Sequence, residues 1–166
     1  MSALYAVLGF VAMQRAVELC VAARNTARLR AQGAVEVDAR GYPWFVALHG
    51  AWLASLFLLL PADAAPSWPL LAVFAALQFG RLWVIATLGR RWTTRIIVLP
   101  GAKLVGRGPY RYLRHPNYAV VAGEIAVVPL AFGAIAIAIG FSAGNLALIA
   151  RRIAIEDRAL ALGRQA

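Results

Sequence analysis

Apolar residues in this chain fall in long blocks, and polar residues collect between them. A helix that crosses a bilayer needs about 20 mostly apolar residues. Residues 2–22 form the first such block, with Arg15 and Glu18 inside it. Residues 43–61 form the second and stop at Pro61. Residues 67–88 form the third and enclose Gln78 and Arg81. A fourth block, from Tyr118 to Ala150, is too long for one span and carries Pro129, Gly133 and Gly140 in its middle. Proline and glycine both weaken a helix interior, so this block predicts a hairpin of two short helices, 117–131 and 133–150. No alternation of the kind that marks a β-barrel competes with this pattern. The reading is an all-α integral membrane protein of about five transmembrane helices. It forms one domain over residues 1–166, with a polar loop at 89–116 and a polar tail at 151–166.

Composition agrees. Apolar residues make up 62% of the chain and charged residues 14%, against roughly a quarter charged in a soluble domain. That excludes a disordered chain and argues against a free-standing soluble one. The charge is lopsided, with 17 Lys+Arg against 7 Asp+Glu. In a soluble protein this balance would suggest nucleic acid. Here Arg24, Arg28, Arg30 and Arg40 lie between the first two helices. Arg90, Arg91, Arg95, Lys103, Arg107, Arg111 and Arg114 lie between the third and fourth, and Arg151, Arg152, Arg158 and Arg164 follow the fifth. Segment 61–69 and the turn near 132 contain no Lys or Arg. Every basic cluster therefore falls on one side of a five-helix alternation, and the positive-inside rule makes that side the cytoplasm. The N-terminus is expected outside, the C-terminus inside, and the first helix is expected to stay, because no basic region precedes it. The expected partner is the lipid bilayer, not nucleic acid. The lone Cys20 excludes an internal disulfide or a Cys-rich metal site and reads as a small residue in a helix.

The chemistry should sit on the side with the long segments. Residues 89–118 are rich in Gly, Pro, Tyr and Arg, and Ile96–Leu99 suits a short extended piece. The plain reading is a basic loop among lipid headgroups. Against it, His115-Pro116-Asn117-Tyr118 places four distinctive side chains where the fourth helix begins. Asn117 or His115 can cap that helix, whose free N–H groups attract an anion such as a cofactor carboxylate. In the tail, Arg152 and Glu156 are four apart and share a helix face, as an ion pair or a site. Ionisable groups inside apolar helices need partners. Arg15 and Glu18 can satisfy each other; Arg81 can snorkel to the cytoplasm or pair with Glu124, which has no local partner. His49 reads more as a satisfied core histidine than as a catalyst, with a site role as the alternative. No zinc spacing, Walker or GxGxxG loop or serine elbow is present, so hydrolase, NTPase and dinucleotide-fold readings are weak.

Residues 108–118 read GPYRYLRHPNY and run into a small-residue helix. This resembles the signature of the isoprenylcysteine carboxyl methyltransferase family. Arg81 with Gly89, Trp92, Leu99 to Val105, and the tail Arg152-Ile-Ala-Ile-Glu156-Asp157-Arg-Ala-Leu160 extend the resemblance over about residues 78–162. Glu18, Arg24-Asn25, residues 33–36, Tyr42, Leu48-His49, Asn117, Glu124 and Pro129 are similar to its short bacterial branch. The resemblance implies an integral fold of the bacterial inner (cytoplasmic) membrane that binds S-adenosylmethionine on its cytoplasmic side and releases S-adenosylhomocysteine. By position it implies that Tyr110, His115, Pro116 and Tyr118 contact the cofactor, with Gln78, Leu104 and Val105 nearby. It implies that Arg81, Arg152 and Glu156 sit at the reacting end, with Glu156 orienting Arg152 or the sulfonium. The implied acceptor is a small lipophilic molecule with a carboxylate or an enol or phenol oxygen, such as a polyketide-derived alkylpyrone or a prenyl-type lipid. Its tail would enter sideways from the bilayer. The tail segment is shorter than in longer members, so the lid is expected to be less complete or completed by another subunit. The competing expectations are an NADPH-dependent membrane reductase on a related scaffold and a non-enzymatic membrane protein.

Overall fold

The computed structural model describes residues 2–162; Arg164 and the rest of the tail's end lie outside them. Five helices account for most of the described chain: α1 (Ala3–Ala31), α2 (Tyr42–Leu59), α3 (Trp68–Leu88), α4 (Pro116–Ala131) and α5 (Ile135–Leu162). Helices α1, α2, α3 and α5 are long and apolar enough to cross a membrane, while α4 is apolar but only 16 residues long. The chain is an all-α multi-pass membrane protein.

Two boundaries differ from the hydropathy reading, each for a local reason. Helix α1 runs nine residues past 22, taking Arg24, Arg28 and Arg30 out of the expected loop. Past residue 22 neither Gly nor Pro interrupts it before Gly33, which adopts φ +88°. There Gly33 N–H donates to Arg30 and Ala34 N–H to Leu29, the paired bonds of a glycine-terminated helix. Helix α4 ends the same way, with Gly133 at φ +73° and N–H bonds from Gly133 to Leu130 and from Ala134 to Pro129. The partner of the hairpin is not a short helix. Helix α5 continues from the membrane block through the polar tail without a break, because no Pro or Gly stands between Asn145 and Leu162. Continuity matters for function: the tail's side chains are fixed relative to the helix bundle.

Packing runs α3 on α4, α4 on α5 and α5 on α2, with α1 against α2. One apolar cluster, including Leu8, Trp52, Leu56, Phe74, Ile125 and Val128, fills the bundle away from the basic loops. Small residues set the α3–α4 distance. A Cβ at Gly123 would lie 2.9 Å from Leu77, and one at Gly80 would lie 3.4 Å from Val120. At the basic end two short strands, β1 (Val35–Val37) and β2 (Ile96–Val98), pair antiparallel with Glu36 opposite Ile97. The extended piece expected at 96–99 is there; its partner β1 carried no pattern long enough to read. Together the strands form a flap that ties the α1–α2 connection to the α3–α4 connection.

Candidate active site

A cavity of about 410 Å³ lies under this flap, within the usual range for small-molecule sites. Its wall takes residues from every helix: Arg15 and Glu18 from α1, Phe45 and His49 from α2, Arg81 from α3, Tyr118 from α4, Arg152 and Glu156 from α5. The 89–116 loop adds Trp92, Thr94, Leu104, Val105, Tyr110 and His115.

Its floor is an ion network. Arg81 is 1% exposed and Glu124 3%. Arg81 Nε donates to Glu124 Oε1 at 3.0 Å, Nη2 donates to Glu124 Oε2, and Nη1 donates to Glu18 Oε2 at 3.3 Å. Arg15 joins the same two carboxylates, at 2.6 Å to Glu18 and in a second contact to Glu124. Gln78 Nε2 completes Glu124 at 2.8 Å. Two cations thus face two anions, an arrangement in which removal of either partner strands a buried charge. Of the two expectations for Arg81, pairing with Glu124 holds and snorkelling does not. The Arg15–Glu18 pair exists but is one edge of a larger set.

The rim is a second chain of bonds, centred on Tyr118. Arg152 Nε donates to the Tyr118 oxygen at 2.8 Å, and the Tyr118 hydroxyl donates to Glu156 Oε2 at 2.7 Å. Arg152 Nη2 donates to the Thr94 carbonyl at 2.6 Å, tying α5 to the loop. Its guanidinium also lies over the Phe45 ring at 5.1 Å. Arg152 and Glu156 therefore act together through Tyr118 rather than as the direct ion pair their spacing allowed. The neighbouring residues Arg151 and Asp157 take no part in this chain of bonds. Arg151 points away and grips Asp38 through two bonds, 2.6 and 2.8 Å, while Asp157 bonds His115 Nε2 at 3.2 Å.

His115 is the N-cap of α4 but makes no side-chain capping bond, so the expected cap is not made by either residue. Its ring stacks on Tyr118 at 5.5 Å instead. Burial, and then the Glu156 charge, push the Tyr110 hydroxyl up to about 12, so it stays protonated and can only act as a neutral group. Two cavity residues hold polar atoms that are buried and unpartnered among the described residues, Trp92 Nε1 and Asn117 Oδ1. One offers a donor and the other an acceptor.

Of the residues singled out in the sequence, Arg81, Arg152, Glu156, Leu104, Val105, Tyr110, His115 and Tyr118 line this one cavity. Gln78 lies outside its wall and serves Glu124, and Pro116 is a buried first residue of α4. Thr94 and Phe45 were not foreseen. Thr94 carries no charge and Phe45 lies in a plain apolar run, and each reaches the site only because the flap and α2 fold against α5. Arg95, at 4.2 Å over the Tyr42 ring and 2.6 Å from Glu36, holds that flap in place.

Known proteins give two matches. The chain is 39% identical over 157 residues to a Bacillus subtilis (strain 168) protein described as uncharacterized protein YpbQ, covering 92% of this chain and 94% of that one. No solved structure matches it. Residues 70–162 match the family model of the isoprenylcysteine carboxyl methyltransferase (ICMT) family. That match starts in α3 and ends at the close of α5, so it takes in Arg81, the loop, Tyr118 and Glu156 together. The chain belongs to the isoprenylcysteine carboxyl methyltransferase family.

Proposed function

We propose that this protein is an S-adenosylmethionine-dependent O-methyltransferase acting on a small lipophilic acceptor. The observation that carries the reading is convergence: the 104–118 loop and the α5 tail, distant in sequence, close one cavity over a neutralised ionic floor. The residues fit the cofactor. Trp92 Nε1–H and Asn117 Oδ1 supply an unused donor and acceptor. Tyr110, His115 and Tyr118 supply flat aromatic surface, and Leu104 and Val105 apolar surface, for a nucleoside. When bound, S-adenosylmethionine supplies an activated methyl group on a sulfonium.

What remains for the protein is mainly alignment in a dry site. Arg152 is held by Tyr118 and the Thr94 carbonyl, and its Nη1, without a hydrogen-bond partner among the described residues, can orient an acceptor oxygen. A guanidinium N–H suits a carboxylate or an enolate, because a charge-assisted hydrogen bond is about twice as strong as a neutral one. Glu156, fixed by the Tyr118 hydroxyl, places negative charge at the rim, where a sulfonium would be favoured. Arg81 has each guanidinium nitrogen committed to a carboxylate, so its part is to keep the floor neutral and rigid. Leu19 and Val46 line the cavity and are also exposed on α1 and α2. That supports sideways access for a lipid tail. Among the described residues the basic clusters lie at the cavity end of the helices, and the positive-inside rule supports a cytoplasmic position for that end.

The test separates binding from turnover. His115→Ala should weaken S-adenosylhomocysteine binding, read by titration of detergent-purified protein. Arg152→Ala and Glu156→Ala should bind it nearly as wild type but lose turnover about 10-fold or more, the usual scale for one charged hydrogen bond. Unchanged affinity in His115→Ala, or unchanged turnover in both rim variants, would remove those roles.

A further inference from the structure

His49 lines the same cavity as Arg15, Glu18 and Arg81, and nothing above uses it. Its Nδ1 lies 2.8 Å from the carbonyl oxygen of Phe45, one turn earlier on α2. A carbonyl oxygen can only accept, so Nδ1 carries the hydrogen and the neutral ring keeps its lone pair on Nε2. The Phe45 ring stacks against the imidazole at 6.4 Å, and Arg152 covers Phe45. The ring is thereby held in one tautomer. Among the described residues Nε2 has no hydrogen-bond partner. The histidine is satisfied on one side and open on the other.

The other polar groups around it are already engaged. Glu18 accepts from Gln14, Arg15 and Arg81, and Glu124 accepts from Gln78, Arg15 and Arg81. Tyr118 donates to Glu156 and accepts from Arg152. The charges that face His49 are Arg15 and Glu18 on α1, Arg81 on α3, Glu124 on α4, and Arg152 beyond Phe45 on α5. Arg15 and Arg81 are matched by Glu18 and Glu124, so the floor beside His49 carries no net charge.

We propose that His49 is the general base of the site and serves an acceptor that arrives as a hydroxyl. This rests on the methyl-transfer reading above. Nε2 takes the hydroxyl proton as the acceptor oxygen bonds to the methyl carbon. The carbon–sulfur bond breaks and its electron pair stays on sulfur, which becomes a neutral thioether. The imidazolium then returns its proton to water. General-base assistance of this kind contributes about 10²–10⁴ in rate.

Two measurements on the full-length protein in nanodiscs test it. The first is histidine ¹⁵N NMR. The chain has two histidines, and His49→Gln assigns the signals. Protonated Nδ1 with bare Nε2 is expected at neutral pH; protonated Nε2 would overturn the proposal. The second compares a long-chain alkylphenol with a long-chain fatty acid as methyl acceptors. The phenol should be methylated with a limb in the imidazole range. His49→Gln should lose that limb and about 100-fold in rate at neutral pH, converging on wild type at high pH, where the phenol ionises unaided. Methylation of the fatty acid alone, or a His49→Gln profile that follows wild type, would overturn it. If neither acceptor is methylated, the NMR tautomer decides. Failure to bind S-adenosylhomocysteine would instead sink the methyl-transfer reading beneath it.

Discussion

Tyr118 is the residue on which the two halves of the site depend. Its oxygen accepts from Arg152 and its hydrogen goes to Glu156, so one hydroxyl aligns two charged side chains from the next helix. Tyr118→Phe keeps the ring that stacks on His115 and removes only the bridge. Turnover should fall about 10- to 100-fold, the effect of about 1.5–3 kcal/mol for hydrogen bonds to charged groups. Steady-state rates at saturating methyl donor check this; a rate within twofold of wild type would show that the bridge is not needed. The sequence already placed Tyr118, Arg152 and Glu156 in one motif set, and spacing put the latter two on one helix face. It did not show that a tyrosine from another helix stands between them, because helix-face arithmetic is local and this contact spans 34 residues. The Glu124–Arg81 pair was legible for the opposite reason. A carboxylate deep in an apolar helix must find a cation, and few were within reach.

Among the elements, α3, α4 and α5 act as the frame. Glycine at 123 lets α3 and α4 approach closely enough for Arg81 and Gln78 to reach Glu124. Gly123→Leu should overpack this contact at a cost of about 1–3 kcal/mol and lower the melting temperature in detergent. An unshifted melt would mean that the helices separate freely. The flap depends on a different bond. Asp38 sits at φ +63°, where asparagine or aspartate is tolerated, and holds α5 through Arg151. The Arg151 guanidinium keeps the Asp38 carboxyl below its usual range. A carboxyl lowered by folding stabilises the folded state above its unfolded value, near 4. That contribution disappears as pH falls through the folded value. Wild type should therefore melt above Asp38→Asn near neutral pH, and the gap should close in acid. A gap independent of pH would contradict the pairing. The helices were legible because each is a long apolar run. The α5 boundary was not, because hydropathy registers where the apolar stretch stops and not where the helix does. Strand β1 was invisible: three residues carry no periodicity, and its pairing with β2 joins positions about sixty apart.

At the scale of the whole molecule, an apolar bundle carries one cavity at its basic end, closed by a flap and by a helix that leaves the membrane block without bending. That layout explains why charge is sparse along the chain yet dense around the site. Arginines at the mouth satisfy the interface, and those inside are each matched by a carboxylate or held by an aromatic ring. The account stands on what this cavity binds. Calorimetric titration of the detergent-purified wild type with S-adenosylhomocysteine and with NADPH, side by side, tests it most directly. The account predicts saturable binding of S-adenosylhomocysteine near one per chain and no heat with NADPH. Binding of NADPH alone, or of neither ligand by a folded sample, would contradict it.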